Sequence, residues 1–181
     1  MNLSSKIIEY KSSKHLRLVV ALFLIWYFMS SAFSVEKWHF IDNLDLIIHQ
    51  AGHLIFLLSG EFVTVIGGSF VQIVIPVAFV IFFIIRKDYY LTSLFLMWLG
   101  YNLVNVSIYM ADATTMVLPL PSWKPFPSDW NYIFGALHIM NWSKQIAFLV
   151  DIVGIIVIIT GAVFAVINSG RADTGPMHYA K

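Results

Sequence analysis

Five apolar segments, separated by shorter polar stretches, make up most of the chain; they cover roughly residues 16–34, 43–59, 69–86, 89–110 and 146–168. Four of them approach or exceed the ~20 helical residues that cross a hydrocarbon core of about 30 Å. The segment over 43–59 is shorter, because its apolar body runs only from Leu44 to Leu58. The pattern predicts an all-α polytopic membrane protein, with four transmembrane helices and one short additional helix.

Composition supports a membrane protein and narrows its chemistry. Hydrophobic residues make up 59% of the 181 positions and charged residues 12%, whereas a soluble domain carries about 25% charged residues. The net charge of +1 gives no field that would attract nucleic acid, so the expected partners are membrane lipid and other membrane proteins. The chain has no cysteine, which leaves histidines and acids as the candidate metal ligands.

Basic residues are unevenly distributed between the loops when the short segment is taken as re-entrant. With a cytoplasmic N-terminus, eight Lys and Arg residues then lie inside and three outside: Lys6, Lys11, Lys14, Arg17, Arg86, Lys87, Arg171 and Lys181 inside, and Lys37, Lys124 and Lys144 outside. A full crossing by the short segment would remove this bias. Because cytoplasmic loops carry the excess of Lys and Arg, the charges favour a half-inserted helix and a cytoplasmic N-terminus.

The short segment carries the most informative motif, His49-Gln50-Ala51-Gly52-His53. Histidines four residues apart on a helix lie one turn above each other, so both imidazoles can meet one metal ion. Ionisable groups within membrane segments are costly and usually functional. The spacing is that of the zinc-protease motif HExxH, with Gln50 in the position of the catalytic glutamate. The motif therefore predicts a metal site in which His49 and His53 are ligands.

Other polar residues share faces with this motif or with each other. Asp45 precedes His49 by one turn, where it could orient the imidazole or complement the helix dipole. Asn102, Asn105, Tyr109 and Asp112 are spaced 3, 4 and 3 residues apart and form one helical face. The asparagines could bind substrate or join helices by hydrogen bonds. Asp112 is the best acidic candidate for a third metal ligand.

The stretch after the short segment has a pattern typical of a strand. Residues 61–66 alternate with β-branched side chains, and Gly67-Gly68 follows as a predicted turn. A strand edge here could pair with an extended peptide, which would make Glu61, Phe62, Val63 and Thr64 substrate-binding residues. The alternative is a short connecting loop.

These features predict a single membrane domain over 1–181 with four parts. They are an N-terminal anchor helix (1–40), a core with the candidate site (41–112), a loop rich in Pro and Trp (113–145), and a last helix with its tail (146–181). The start has the pattern of a signal peptide, but its bulky aromatic residues favour a retained anchor. In the loop, Ser128-Asp129-Trp130 predicts an N-cap that opens a short interfacial helix ending near His138.

The motifs together resemble the site-2-protease-type intramembrane zinc metallopeptidases, and more narrowly a set of small bacterial membrane proteins with HEAGH followed by a GEF…GG segment. The resemblance rests on His49 to His53, Gly60-Glu61-Phe62, Gly67-Gly68, Gln72, Pro76 and Asn102 to Asp112. It implies a metalloprotease-like core in a bacterial inner membrane. It also implies zinc held by His49, His53 and Asp112, and a strand segment beside the helix that carries the histidines.

Gln50 is the main departure from that family. In HExxH enzymes the glutamate takes a proton from the attacking water and passes it to the leaving amine, and loss of such a base removes ~10²–10⁴ of the rate. The glutamine marks either a natural pseudoprotease or an enzyme trapped by substitution. Two functions stay open: a zinc-binding, metallopeptidase-like protein with impaired hydrolysis, and a non-catalytic subunit that binds and stabilises a membrane-protein partner.

Overall fold

The computed structural model describes residues 3–34, 37–118 and 128–170, and every regular element in these ranges is helical. The helices are α1 (Leu3–Ala32), α2 (Phe40–Ile55), α3 (Glu61–Ile85), α4 (Tyr89–Ala111), α5 (Asp129–Ala136) and α6 (Ser143–Ser169). Four described stretches are long and apolar enough to cross a membrane: Lys14–Ala32, Glu61–Ile85, Tyr89–Ala111 and Met140–Ser169. The prediction of an all-helical chain with four such helices is confirmed.

The helix that carries the two histidines is not one of these four. α2 has 16 residues, which is about 24 Å at 1.5 Å per residue and less than a hydrocarbon core. It begins at Phe40, three residues earlier than the pattern predicted, because the backbone N–H of His39 donates to Asp42 Oδ2 over 2.6 Å. An acid in the first turn also complements the helix dipole.

The predicted strand over 61–66 is wrong, because these residues form the first turns of α3. Gly60 has a φ of 92°, a conformation that favours glycine, and its carbonyl accepts the first helical hydrogen bond from Thr64 N–H at 2.9 Å. A helix satisfies its backbone groups within one segment, whereas a strand needs a partner strand, and the described residues contain none. Gly67 and Gly68 accordingly lie inside a helix rather than in a turn.

α4 lies at the centre of the fold. It packs along α6 and against α1 on one side, and against α3 and α5 on the other, while α2 packs on α3. Its buried Met97, Tyr101 and Val104 form a core with Ala21 of α1 and Ile158 of α6. The candidate site lies on the opposite side, among α2, α3, α4 and α5.

Candidate metal centre

His49 and His53 lie one turn apart on α2, with ring centroids 4.7 Å apart and ring planes nearly perpendicular. Their Nε2 atoms are 3.0 Å from each other, so both rings turn the same nitrogen toward one point. The two side chains are about one-fifth exposed. The geometry expected from the HxxxH spacing is therefore present.

Asp129, the first residue of α5, completes the cluster. Its Oδ2 lies 2.9 Å from His49 Nε2 and 3.1 Å from His53 Nε2. These three atoms form a nearly equilateral triangle, hereafter the His–His–Asp trio. Among the described residues, this is the group of His and acidic side chains that could hold a metal ion.

Three contacts hold the helix that carries Asp129. The side chain of Ser128 caps α5 and accepts a hydrogen bond from the backbone N–H of Asn131 at 3.2 Å, which confirms the predicted N-cap. Asn131 Nδ2 donates to the carbonyl of Ala113 at 2.7 Å, and Phe134 is buried against the end of α4. α5 ends at Ala136, near the predicted end.

The outer nitrogens of the two imidazoles both face oxygen. His53 Nδ1 lies 2.8 Å from the backbone carbonyl of Thr64, and His49 Nδ1 lies 3.0 Å from Gln72 Oε1. A carbonyl oxygen can only accept, so each Nδ1 carries the proton and donates it. In its neutral form, each imidazole then presents an unprotonated Nε2 to the trio. Three electron-pair acceptors this close together require a proton or a metal ion between them.

Glycines in α3 make room for the two rings. A Cβ at Gly68 would lie 2.5 Å from His53 Nε2 and 2.7 Å from His49 Nε2. Gly52 of α2 faces the backbone of Gly67, so the two helices meet with no side chain between them. Gly67 thus lets α2 and α3 approach each other closely, and Gly68 leaves space for the two imidazoles. The prediction of a turn at Gly67-Gly68 included neither role.

Electrostatics at Asp129 favour a charged carboxylate. Burial alone would raise the pKa of Asp129, but in the metal-free trio a proton on the Nε2 atoms of His49 and His53 supplies hydrogen bonds and positive charge that outweigh burial and lower the pKa to about 2. The carboxylate therefore stays ionised beside the two histidines, as a metal ligand must.

Asp112, the predicted third ligand, does not lie in the trio. It caps the end of α4, and its carboxylate accepts from Thr115 Oγ1 at 2.5 Å and from the backbone N–H groups of Val117 and Leu118 at 3.0 Å. Burial would raise its pKa, but these hydrogen bonds lower it. The correction has a physical reason: the carboxylate already binds the chain that follows α4, while α5 folds back over α2 and supplies Asp129.

Asp45, predicted to orient His49 or to complement the helix dipole, instead joins α2 to α4. Asp45 Oδ1 accepts a hydrogen bond from Trp98 Nε1 at 2.9 Å. The hydrogen-bond partner of His49 Nδ1 is Gln72 rather than Asp45. Asn102, a predicted substrate-binding residue, is fully buried, and its Nδ2 donates to the carbonyl of Trp98 at 3.0 Å.

A cavity of about 640 Å³ adjoins the trio. Among the predicted substrate-binding residues, Glu61, Thr64 and Asn105 line it, whereas Phe62, Val63 and Asn102 do not. Gln50 also lines the cavity, on the exposed face of α2 next to the ligands. Gln50, at the position that glutamate occupies in the HExxH motif, therefore borders this cavity.

Comparison of the chain with protein-family models, curated proteins and solved structures finds no match. The candidate site is therefore defined by its own geometry and chemistry.

Proposed function

We propose that this chain is an intramembrane zinc-binding protein with a metallopeptidase-like site, in which Gln50 in place of a general base impairs hydrolysis. The observation that carries the proposal is the His–His–Asp trio, with its three ligand atoms 2.9–3.1 Å apart. Both outer imidazole nitrogens donate to carbonyl oxygens, so the inner nitrogens are free to bind a metal.

The donor set fits zinc. Ligand atoms at zinc bond lengths of about 2.0–2.2 Å lie about 3.3 Å apart in a tetrahedral site, close to the spacing in the trio. Catalytic zinc sites have three protein ligands and one open position, whereas structural sites have four protein ligands. The trio supplies three, and a cavity adjoins it. The arrangement therefore supports a site that accepts a further ligand from solvent or substrate.

In such a site, zinc and the surrounding side chains would have separate roles. Zinc, when bound, would polarise a peptide carbonyl and make a water molecule more acidic. His49, His53 and Asp129 would hold it, while Thr64 and Gln72 keep the imidazoles in the metal-binding tautomer. Gln50 can donate or accept a hydrogen bond in the cavity but cannot take up a proton, so the proton-transfer step lacks its usual acceptor.

Gln50 favours a second candidate function as well. A protein that keeps the metal site and cavity without the base can hold a membrane-protein segment without cutting it. In this alternative the chain is a pseudoprotease subunit that stabilises a partner, and the cavity of about 640 Å³ is its binding site.

Metal content of the full chain, stripped with chelator and reloaded with zinc, tests the proposal. We expect about one zinc per chain in the parent and none in His49→Ala, His53→Ala or Asp129→Ala. Asp112→Ala is the matched control, because it removes a carboxylate outside the trio and should keep the zinc. A folded parent that binds no zinc would overturn the proposal.

Activity of Gln50→Glu separates the two candidates. If the site is hydrolytic, restoring the base should raise cleavage of a transmembrane peptide by about 10²–10⁴-fold over the parent. The double variant Gln50→Glu/Asp129→Ala should lose that gain. A zinc-loaded Gln50→Glu variant that cleaves nothing, with a parent that co-purifies with a membrane protein, would favour the subunit function instead.

The proposal includes a place in the membrane. We infer an N-terminus on the cytoplasmic side of a bacterial inner membrane and an α2 that enters without crossing, supported by its 16 residues and by the distribution of Lys and Arg. Because the chain has no cysteine, single cysteines can be added at Ser59 and Lys87 and labelled from either side. A third cysteine at Lys37, before α2, makes the test decisive. A re-entrant α2 places Lys37 and Ser59 on the same side and Lys87 on the other, whereas a full crossing places Lys37 and Ser59 on opposite sides.

A further inference from the structure

We infer that Asp42, which is buried two turns before His49 on α2 and lies outside the trio, is a positioning residue that sets the tautomer of His49 through two side-chain amides. The inference rests on the proposed zinc site, but the proton on His49 can be observed whether or not metal binds. It adds a determinant of metal affinity that the ligand set does not contain.

The connection is a chain of hydrogen bonds across three helices. His49 Nδ1 on α2 lies 3.0 Å from Gln72 Oε1 on α3. Gln72 Nε2 donates to Asn105 Oδ1 on α4 at 3.2 Å, and Asn105 Nδ2 donates back to Asp42 Oδ1 on α2 at 3.5 Å. Tyr101 of α4 also donates to Asp42 Oδ1, at 2.6 Å. Gln72 and Asp42 are buried and Asn105 is half-buried, and all three border the cavity beside the trio.

The carboxylate fixes the direction of every bond in this chain. An ionised carboxyl group only accepts hydrogen bonds, whereas an amide donates at one end and accepts at the other. Asn105 must therefore present its NH₂ group to Asp42 and its oxygen to Gln72. Gln72 in turn presents NH₂ to Asn105 and oxygen to His49, which places the proton of His49 on Nδ1 and leaves Nε2 free.

The two metal-ligating histidines thus differ in what holds their tautomer. His53 donates to the carbonyl of Thr64, and no side-chain substitution changes the polarity of a backbone carbonyl. His49 depends on amides that can rotate by 180° and reverse their polarity. Asp42 prevents that reversal, and its other oxygen accepts from the backbone N–H of His39.

Asp42→Asn should reverse the chain. The backbone N–H of His39 still requires an oxygen, so the new amide at position 42 turns its NH₂ group toward Asn105. Asn105 and Gln72 then rotate, and His49 receives a hydrogen bond at Nδ1 and carries its proton on Nε2. We expect ¹⁵N NMR of the metal-free protein, at a pH where imidazoles are neutral, to show this change. Zinc affinity should fall about 10–100-fold.

A second substitution should restore the original polarity. In Asp42→Asn/Gln72→Glu, the carboxylate at position 72 accepts from His49 Nδ1 whatever stands at position 42. Asn105 donates to it and accepts from the amide at position 42, so every polar group keeps a partner. We expect the Nδ1–H tautomer of His49 and most of the zinc affinity to return. His53, measured in the same spectra, should stay in its Nδ1–H form throughout.

The readouts separate the possible failures. If Asp42→Asn leaves His49 protonated on Nδ1, or if the double variant fails to restore that tautomer, the inference is overturned. A loss of zinc without a change of tautomer assigns Asp42 a merely structural role and also overturns it. If the parent binds no zinc but His49 changes tautomer as expected, the proposed function fails while the positioning role of Asp42 stands.

Discussion

Two helix pairs in this protein meet through glycines, and they use the closeness differently. In α4 and α6, a Cβ at Gly154 would lie 2.8 Å from the carbonyl oxygen of Gly100, and one at Gly161 would lie 2.8 Å from the backbone of α4. In α2 and α3, a Cβ at Gly68 would meet imidazole nitrogens instead. Glycine therefore allows close helix packing in both pairs, through Gly52 and Gly67 in α2 and α3, and at Gly68 it also makes space for the two imidazoles.

The largest expected effect is the loss of zinc affinity in Gly68→Ala, which distinguishes the α2–α3 pair from the α4–α6 pair. Gly68→Ala should lower zinc affinity by at least about 100-fold, because ligand geometry is displaced when a methyl group occupies the space of the two rings. Thermal stability without metal should change little, since side chains can move and alanine favours a helix over glycine. Chelator competition and thermal unfolding in the same detergent measure the two quantities.

Gly135→Ala is the matched control, because a Cβ there meets only Met140 Cε at 4.0 Å. It should leave zinc affinity and stability close to those of the parent. Unchanged zinc binding in Gly68→Ala would show that the rings do not need the space that Gly68 leaves.

Zinc should stabilise the side of the molecule that holds the trio. A ligand that binds only the folded state adds about 2.7 kcal/mol at a hundred times its Kd. Hydrogen exchange of α2 and α5 should slow on zinc addition by the corresponding factor of about 100, with a smaller change in the α4–α6 pair. Asp129→Ala should show no such protection, and equal slowing in that variant would contradict the site.

Gly154→Ala should have the opposite outcome from Gly68→Ala. Its Cβ would press on backbone atoms of α4, which cannot move as a side chain can, so we expect a loss of about 1–3 kcal/mol in the free energy of unfolding. Folded protein should still bind zinc with the affinity of the parent. A variant that loses metal while keeping its stability would mean that the two helix pairs are not independent.

The smallest effect concerns the cap of α5. Ser128→Ala removes the acceptor for the backbone N–H of Asn131, at a cost of about 1 kcal/mol. Because α5 carries Asp129, zinc affinity should fall by up to about fivefold. Ser128→Asp keeps an acceptor at the cap and should retain most of the affinity, whereas an equal loss in both variants would indicate that the cap does not place Asp129.

The features that could be predicted from local patterns are those that depend on neighbouring residues, such as the long helices and the start of α5. The long helices follow from uninterrupted apolar runs, and the start of α5 follows from Ser128 and Asp129 as a cap and a first-turn acid. The strand over 61–66 failed because β-branched alternation is a weak preference, which the need to satisfy backbone groups within one segment outweighs.

Pairings between distant segments could not be predicted in the same way. Asp112 and Asp129 were both available as acids, and the choice between them depends on how α5 folds over α2, 80 positions away in sequence from His49. Asp45 likewise pairs with Trp98, which is 53 positions away. The available signal for Asp129 was an acid in the first turn of a short helix, but such an acid commonly serves only to complement the helix dipole.

The separation of the ligands along the chain has a consequence for the unfolded state. A zinc ion held by His49 and Asp129 closes a loop of 80 positions. By the chain-entropy relation for cross-links, a permanent tie of that length restricts the unfolded ensemble by about 4.5 kcal/mol. In a chain with no cysteine, the trio would thus act as a removable cross-link, closed by metal and opened by a chelator rather than by a reductant.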